Sequence, residues 1–224
     1  VPKNSMDYLR VLNESTFFDR LALTSEDKAR ANIYHQEQHR KNDLNNSISV
    51  DDFLKDLKMT VQIGFSDDFT ITRIVQLLNK TNQFNLTTKR YSSADLIKII
   101  NEGGKVLWLS ASDRYGDNGI VGVAILVEIK QREWLIDSML LSCRVIGRKI
   151  ETVFLAEIIK ILDGNNADFV YGQYLPTKKN NLVSNFYNQH SFQLTDKKNN
   201  LWEFNLNEGY IIKPNYIEVS IKND

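Results

Sequence analysis

The chain's only cysteine, Cys143, stands in LLSCRVIGRKIE (residues 140–151), and Arg144, Gly147, Arg148 and Lys149 follow it closely. Two readings of this thiol are open. A lone cysteine closing an apolar strand packs as a small, inert hydrophobe. A cysteine opening a helix among cations is a nucleophile, because positive potential stabilises its thiolate. The free N–H groups of a helix start, its dipole and three nearby cations also form a place for a phosphate.

A second stretch, LLNKTNQFNLTTKRY (77–91), packs Asn79, Lys80, Thr81, Asn82, Gln83, Asn85, Thr87 and Thr88 into a short span. Turn chemistry alone accounts for many of these residues. Read functionally, they form a wall of donors and acceptors around a small hydroxylated, phosphorylated substrate, with Lys80, Lys89 and Arg90 meeting phosphate. Asp117 and Asn118 in DRYGDNGIVG (113–122) belong to a turn and are candidates to line the same cleft. His190 follows Tyr187 by three residues, so one helix face would hold both, with His190 as a base. His35 and His39 have metal-ligand spacing, but the run reads HQEQH, Glu37 points elsewhere and no third ligand is evident. A solvated helix face is expected there, and no metal.

Elements with recognisable periods must position these groups. Residues 1–58 read as a polar helical segment. It contains a helix opening at Thr24/Ser25, with Ala29, Ile33 and Tyr34 as a thin apolar stripe, and a short amphipathic helix with Phe53, Leu54 and Leu57 on one side. From residue 59 strands and helices alternate in the order β-α-α-β-β-β-α-β-α-β-β. The strongest helix follows Lys149, with Ile150, Phe154, Ile158, Ile161 and Leu162 on one face and Gly164 at its end. A further helix, running into a strand, is expected over NNLVSNFYNQHSF. A three-strand meander followed by a helical crossover predicts an α/β (α+β) fold with a mixed central sheet and flanking helices, the second domain running from 59 to 224.

Composition bounds the function. The chain has 224 residues, 42% hydrophobic and 25% charged, with 28 Lys+Arg against 28 Asp+Glu. This ordinary globular balance gives no global reason to expect nucleic acid as partner. A single cysteine forms no internal disulfide, so a reducing, cytoplasmic location is the simplest reading. No apolar run approaches the ~20 residues needed to span a membrane.

The element order is similar to the GNAT (N-acetyltransferase-like) fold. In that fold the turn after the fourth strand holds the pyrophosphate of coenzyme A on backbone N–H groups. Arg144-Val-Ile-Gly147-Arg148-Lys149 matches that turn, with Lys149 in place of its final small residue. Asn180-x-x-Val183-x-x-Phe186-Tyr187 followed by Ser191-Phe192 resembles the late helix of the fold, with Ser191 where Gly is usual. The resemblance implies a general-acid role for Tyr187, and contacts from Lys178 and Asn180 to a pantetheine arm.

LTSEDKARANIYHQEQHRK, DDFLKDLKM, RIVQLLNKTNQFNLTTKRY, DRYGDNGIVGVAI, LLSCRVIGRKIE and YLPTKKNNLVSNFY together resemble the carboxy-terminal, GNAT-like part of FkbH-like proteins of the haloacid-dehalogenase (HAD) superfamily. Those proteins take a glyceryl unit from 1,3-bisphosphoglycerate, remove phosphate and load the unit as a thioester onto an acyl carrier protein. The resemblance implies an acyltransferase with Cys143 as the acyl-carrying nucleophile. Its thiol partner would be the phosphopantetheine of a carrier protein, or coenzyme A. A HAD domain, in cis or in trans, would bind Mg²⁺ and hold the phosphatase. No Asp-x-Asp motif stands after an apolar strand here, so no phosphatase activity is expected of this chain, and residues 1–58 read as the end of a HAD-like domain or the connection from it. Two alternatives stand beside this: a CoA-dependent N-acetyltransferase, and a non-catalytic GNAT-like scaffold for dimerisation or carrier docking.

Overall fold

The computed structural model describes residues 25–222, with side chains from residue 35 onward. The Thr24/Ser25 helix start and the Ala29, Ile33 and Tyr34 stripe lie outside the described side chains. The chain divides into two compact units, residues 1–45 and 46–224. Helix α1 (Ser25–Asn46) is the described element of the first unit. In it the His35 and His39 rings meet edge to face at 4.6 Å. Among the described residues, no three His, Cys, Asp or Glu side chains form a group that could hold a metal.

The second unit opens with α2 (Val50–Asp56), capped by Ser49 Oγ accepting from Asp52 N at 3.1 Å. The sequence places a boundary near residue 58; the structure divides the chain before α2. The reason is that one-sided apolar face, since Phe53, Leu54 and Leu57 are buried in the core of the second unit.

Next come β1 (Thr60–Phe65), α3 (Ile71–Lys80), β2 (Phe84–Asn85), α4 (Ser93–Asn101), β3 (Lys105–Asp113), β4 (Gly116–Lys130) and β5 (Glu133–Leu141). The chain continues with α5 (Ile150–Asp163), β6 (Phe169–Gln173), α6 (Phe186–Gln189), β7 (Gln193–Asp196), β8 (Leu201–Asn205) and β9 (Glu218–Lys222). The sheet runs β7-β8-β6-β5-β4-β3-β1-β9, with β2 set beside β5. This is the mixed α/β architecture expected from the sequence. Alternation along β3 splits the core. Leu107 and Leu109 face α5 through Phe154 and Ile158, while Val106 and Trp108 face α3 and α4 through Ile74, Leu78 and Leu96. Each such side chain, fully buried, contributes roughly 1.5–3 kcal/mol. Among the described residues no helix is long and apolar enough to cross a membrane.

Three features depart from the expected order. The tail closes as β9, parallel to β1, from Thr60↔Glu218 to Gly64↔Lys222. The helix expected over 180–190 is a 3-10 turn, Asn181–Val183, and the four-residue α6. The chain reverses there at Ser191, whose φ is +64°. Finally, the polar stretch 77–91 contains β2.

Strand β2 fills a fork in the sheet. β5 and β6 run parallel only from Glu133↔Phe169 to Ile136↔Gly172. The next residue of β5, Asp137, is a bulge, because Leu126 pairs with Ile136 and Ile125 with Ser138. Past the bulge β5 is paired by Phe84 and Asn85, opposite Leu141 and Leu140. Leu86 N donates to Met139 O (3.0 Å), Leu175 N donates to Leu86 O (2.9 Å), and the Thr87 hydroxyl donates to Asp137 O (3.2 Å). The apolar pair Phe84 and Leu86 alternates with Asn85 and Thr87, the period of a strand, and all four are buried.

Candidate functional site

Beside the fork, where β5 ends, lies a cleft of about 820 Å³. Its floor is the turn after β5, where Ser142 N donates to Val121 O at 2.7 Å and a 3-10 turn covers Cys143–Val145. This turn lifts Cys143 out of the sheet, and its side chain is exposed at the cleft. One wall is the end of α3 and the residues after it: Arg73, Gln76, Leu77, Lys80, Thr81, Asn82 and Gln83. The other wall is Lys178 and Lys179.

Among the described residues five cationic side chains, Arg144 included, line the cleft, and no carboxylate does. Burial and the neighbouring Arg73 hold the Arg144 guanidinium below its ordinary value, while Cys143 and Asp117 oppose that shift. Arg144 remains cationic, and its Nε donates to Ser142 Oγ at 3.3 Å. A cavity lined this way suits an anionic group.

The structure thus brings together Cys143, Arg144, Lys178, Lys80, Thr81, Asn82 and Gln83 from the residues chosen on sequence. The others lie elsewhere. Asn79 donates from Nδ2 to Val75 O (2.9 Å) and Tyr91 O (3.2 Å). Asn85 is fully buried and clasps its own loop: Oδ1 accepts from Thr88 N (2.7 Å) and Thr87 N (3.3 Å), and Nδ2 donates to Thr81 O (3.1 Å). Asp117 is exposed and accepts from Gly119 N at 2.7 Å. Asn118 is buried, and its Nδ2 has no partner among the described residues.

Lys89 pairs with Asp137 (2.6 Å), which also accepts from the Tyr91 hydroxyl. Asn180, fully buried, accepts on Oδ1 from Thr177 N (2.7 Å) and the Thr177 hydroxyl (2.9 Å), and donates from Nδ2 to Leu175 O and Asn85 O (both 2.9 Å). It seats the loop carrying Lys178 and Lys179 against β2.

Tyr187 and His190 do not share the cleft with Cys143. Tyr187 is buried, its hydroxyl has no partner among the described residues, and burial together with the Asp137 charge pushes the phenol far up. Its ring crowds Gly172, where any Cβ would overlap it. His190 lines a second pocket, of about 480 Å³. Its Nδ1 bonds Phe186 O at 2.7 Å, which makes Nδ1 the donor, so Nε2 accepts from the Thr152 hydroxyl at 2.9 Å. Burial lowers this imidazole, the Phe186 carbonyl opposes that shift and Lys149 adds to it.

Gly147, Lys149 and Glu151 line that second pocket, at the turn the sequence assigns to a diphosphate. Gly147 (φ +82°) faces open space, and Lys149 takes the left-handed conformation (φ +63°). Two features fit a diphosphate poorly. Arg148 is buried, with Nη1 on Asp113 at 3.1 Å and Nη2 on Arg144 O at 2.5 Å. The Glu151 carboxyl sits in the first turn of α5, where it accepts from its own N–H; burial pushes it up, and its Oε2 has no partner among the described residues. An anion there would lie beside the Glu151 carboxyl, which lines the same pocket. The five-cation cleft is the stronger anion site.

Sequence reasoning missed Arg73 and Lys179. Arg73 sits on the polar side of an amphipathic helix, and a polar face carries no mark of the cavity it borders. Lys179 adjoins Lys178, and only the loop geometry set by Asn180 turns the pair to the cleft.

No protein-family model matches the sequence, and no curated protein matches it. Solved structures do resemble it. A GNAT-family acetyltransferase from Staphylococcus aureus Mu50 superposes with a TM-score of 0.51 at 15% identity, covering 65% of this chain and 99% of that one. A GNAT-family protein from Desulfovibrio desulfuricans gives 0.51 at 8% identity over 65% and 99%. The ribosomal-protein-S18-alanine N-acetyltransferase of Escherichia coli gives 0.50 at 9% over 65% and 94%. At these identities the likeness shows the fold: this chain has the GNAT architecture.

Proposed function

We propose that this chain is an acyltransferase that carries its acyl group on Cys143. The observation that supports the reading is an exposed thiol in a cleft lined, among the described residues, by five cations and no carboxylate. The donor fitting such a cleft is an acyl phosphate of a small phosphorylated three-carbon acid, the donor class of the FkbH-like proteins. The Cys143 thiolate attacks the acyl carbon, the carbon–oxygen bond to phosphate breaks, and phosphate leaves with the electron pair among Arg73, Lys80 and Arg144. The phosphopantetheine thiol of an acyl carrier protein then loses its proton to solvent and attacks the thioester, and Cys143 departs as thiolate. Dephosphorylation belongs to a Mg²⁺-dependent HAD partner domain and is no part of this chain's role.

The fold itself favours a second reading, a CoA-dependent N-acetyltransferase of GNAT type. The poor fit of the turn before α5 to a diphosphate weighs against it.

The test is intact mass of the protein after incubation with a source of 1,3-bisphosphoglycerate. The reading expects a 3-phosphoglyceryl adduct on Cys143, converted to glyceryl only when the HAD partner is added, that is discharged by carrier protein and absent in Cys143→Ala. Saturable acetyl-CoA binding unchanged in Cys143→Ala, with no adduct, would replace it by the acetyltransferase.

A further inference from the structure

Arg90 follows the loop that forms one wall of the cleft. Its Nη1 donates to two carbonyls at the end of α3, Leu78 O and Thr81 O, and its Nη2 donates to Asn82 Oδ1. Asn82 lines the cleft with Cys143; Arg90 does not. A guanidinium has donors and no acceptor, so the amide atom facing it has to be the oxygen. That fixes which way round the Asn82 amide lies, and its NH₂ is left for the cleft.

We infer that Arg90 is a positioning residue, which locks the Asn82 amide with its donor toward an anionic oxygen of the substrate in the cleft. The inference rests on the acyl-phosphate reading for the identity of that substrate, though not for the polarity of the amide. Without Arg90 the amide is free to turn over and present its own oxygen to an anion, replacing an attraction by a repulsion. The same guanidinium ties the 81–82 loop to the end of α3, so the donor is held on a helix and not on a free loop.

The test uses inorganic phosphate as the anion and alkylation of Cys143 by iodoacetamide, a neutral reagent, as the readout. Phosphate in the cleft shields the thiol, so protection titrates phosphate affinity without any acyl transfer. A double-mutant cycle then separates an effect through Asn82 from loss of one distant charge. Wild type is expected to show saturable protection. Arg90→Ala and Asn82→Ala should each weaken it by about tenfold, the effect of one hydrogen bond to a charged group. Arg90→Ala added to Asn82→Ala should then weaken it no further. Asn82→Asp should lose more than Asn82→Ala. Equal effects of Arg90→Ala in both backgrounds would overturn the inference, as would no protection in wild type. Because Arg90 also ties down the end of α3, melting curves accompany each variant, and protection is compared at a temperature where all of them are folded. An absent acyl adduct with this cycle intact would sink the thioester reading and leave the inference standing.

Discussion

Asn180 donates from Nδ2 to the backbone carbonyl of Asn85 at 2.9 Å, across 95 residues of sequence. Both side chains are fully buried, and each bonds its own loop as well. This bond joins the two walls of the cleft: the loop bearing Lys178 and Lys179, and the segment following Asn82 and Gln83.

Asn180→Ala should therefore destabilise the protein by about 2–3 kcal/mol, since it orphans buried groups on both loops. Urea denaturation measures the loss. Asn180→Asp should be at least as damaging, because it puts an oxygen against the carbonyls of Asn85 and Leu175. In either variant phosphate protection of Cys143 should weaken, although Asn180 does not line the cleft.

Arg148 is buried against Asp113, with side-chain exposures of 9% and 1%. Removing one member of such a pair costs about 3–5 kcal/mol. Arg148→Ala should lower stability by that order in urea denaturation. In whatever fraction stays folded, phosphate affinity in the cleft should be close to that of wild type. A selective loss of phosphate binding at full stability would move Arg148 from structure to ligand.

The Tyr187 hydroxyl is buried without a partner among the described residues. Tyr187→Phe removes an unsatisfied polar group and should leave stability unchanged or raise it by about 1 kcal/mol, with acylation of Cys143 intact. Gly172→Ala should behave oppositely and cost about 1–3 kcal/mol, because its Cβ overlaps the Tyr187 ring. Thermal melts of the two variants distinguish them.

His190 and Glu151 give stability opposite dependences on pH. The His190 imidazole lies below its ordinary value of 6.5, so its contribution is complete above that pH and is lost as pH falls through the folded value. The Glu151 carboxyl lies above its ordinary value of 4.5, so its contribution is complete below that pH and is lost as pH rises through the folded value. Glu151→Gln should consequently raise the melting temperature near pH 7, and the gain should vanish below pH 4.5. His190→Gln should flatten the decline that wild type shows below pH 6.5.

Much of this architecture is legible in the sequence where period carries it. The buried face of α5, with Ile150, Phe154, Ile158 and Leu162, follows from spacing alone, as does the β3-β4-β5 meander. Cys143 beside Arg144 is legible too, since adjacency in sequence fixes it. What is not legible depends on distant polar pairings. Nothing local in Asn85 shows that it faces Asn180, and nothing in Arg148 shows that Asp113 will hold it. β2 is unreadable for the same reason: two apolar residues among polar ones become a strand only because β5 leaves β6 at Asp137 and offers an empty edge.

The strand wedged into that fork also constrains the order of folding. Residues 84–87 find their partners only after Met139–Leu141 and the chain near Leu175 are in place. Contacts so far apart in sequence form late, because loop closure comes before any gain from them. A chain in which β2 has not docked would carry Cys143 without the Lys80–Gln83 wall of its cleft. A nascent or locally unfolded chain of that kind would bear the nucleophile without the full anion site, and its reactivity toward anionic donors would report whether β2 has docked.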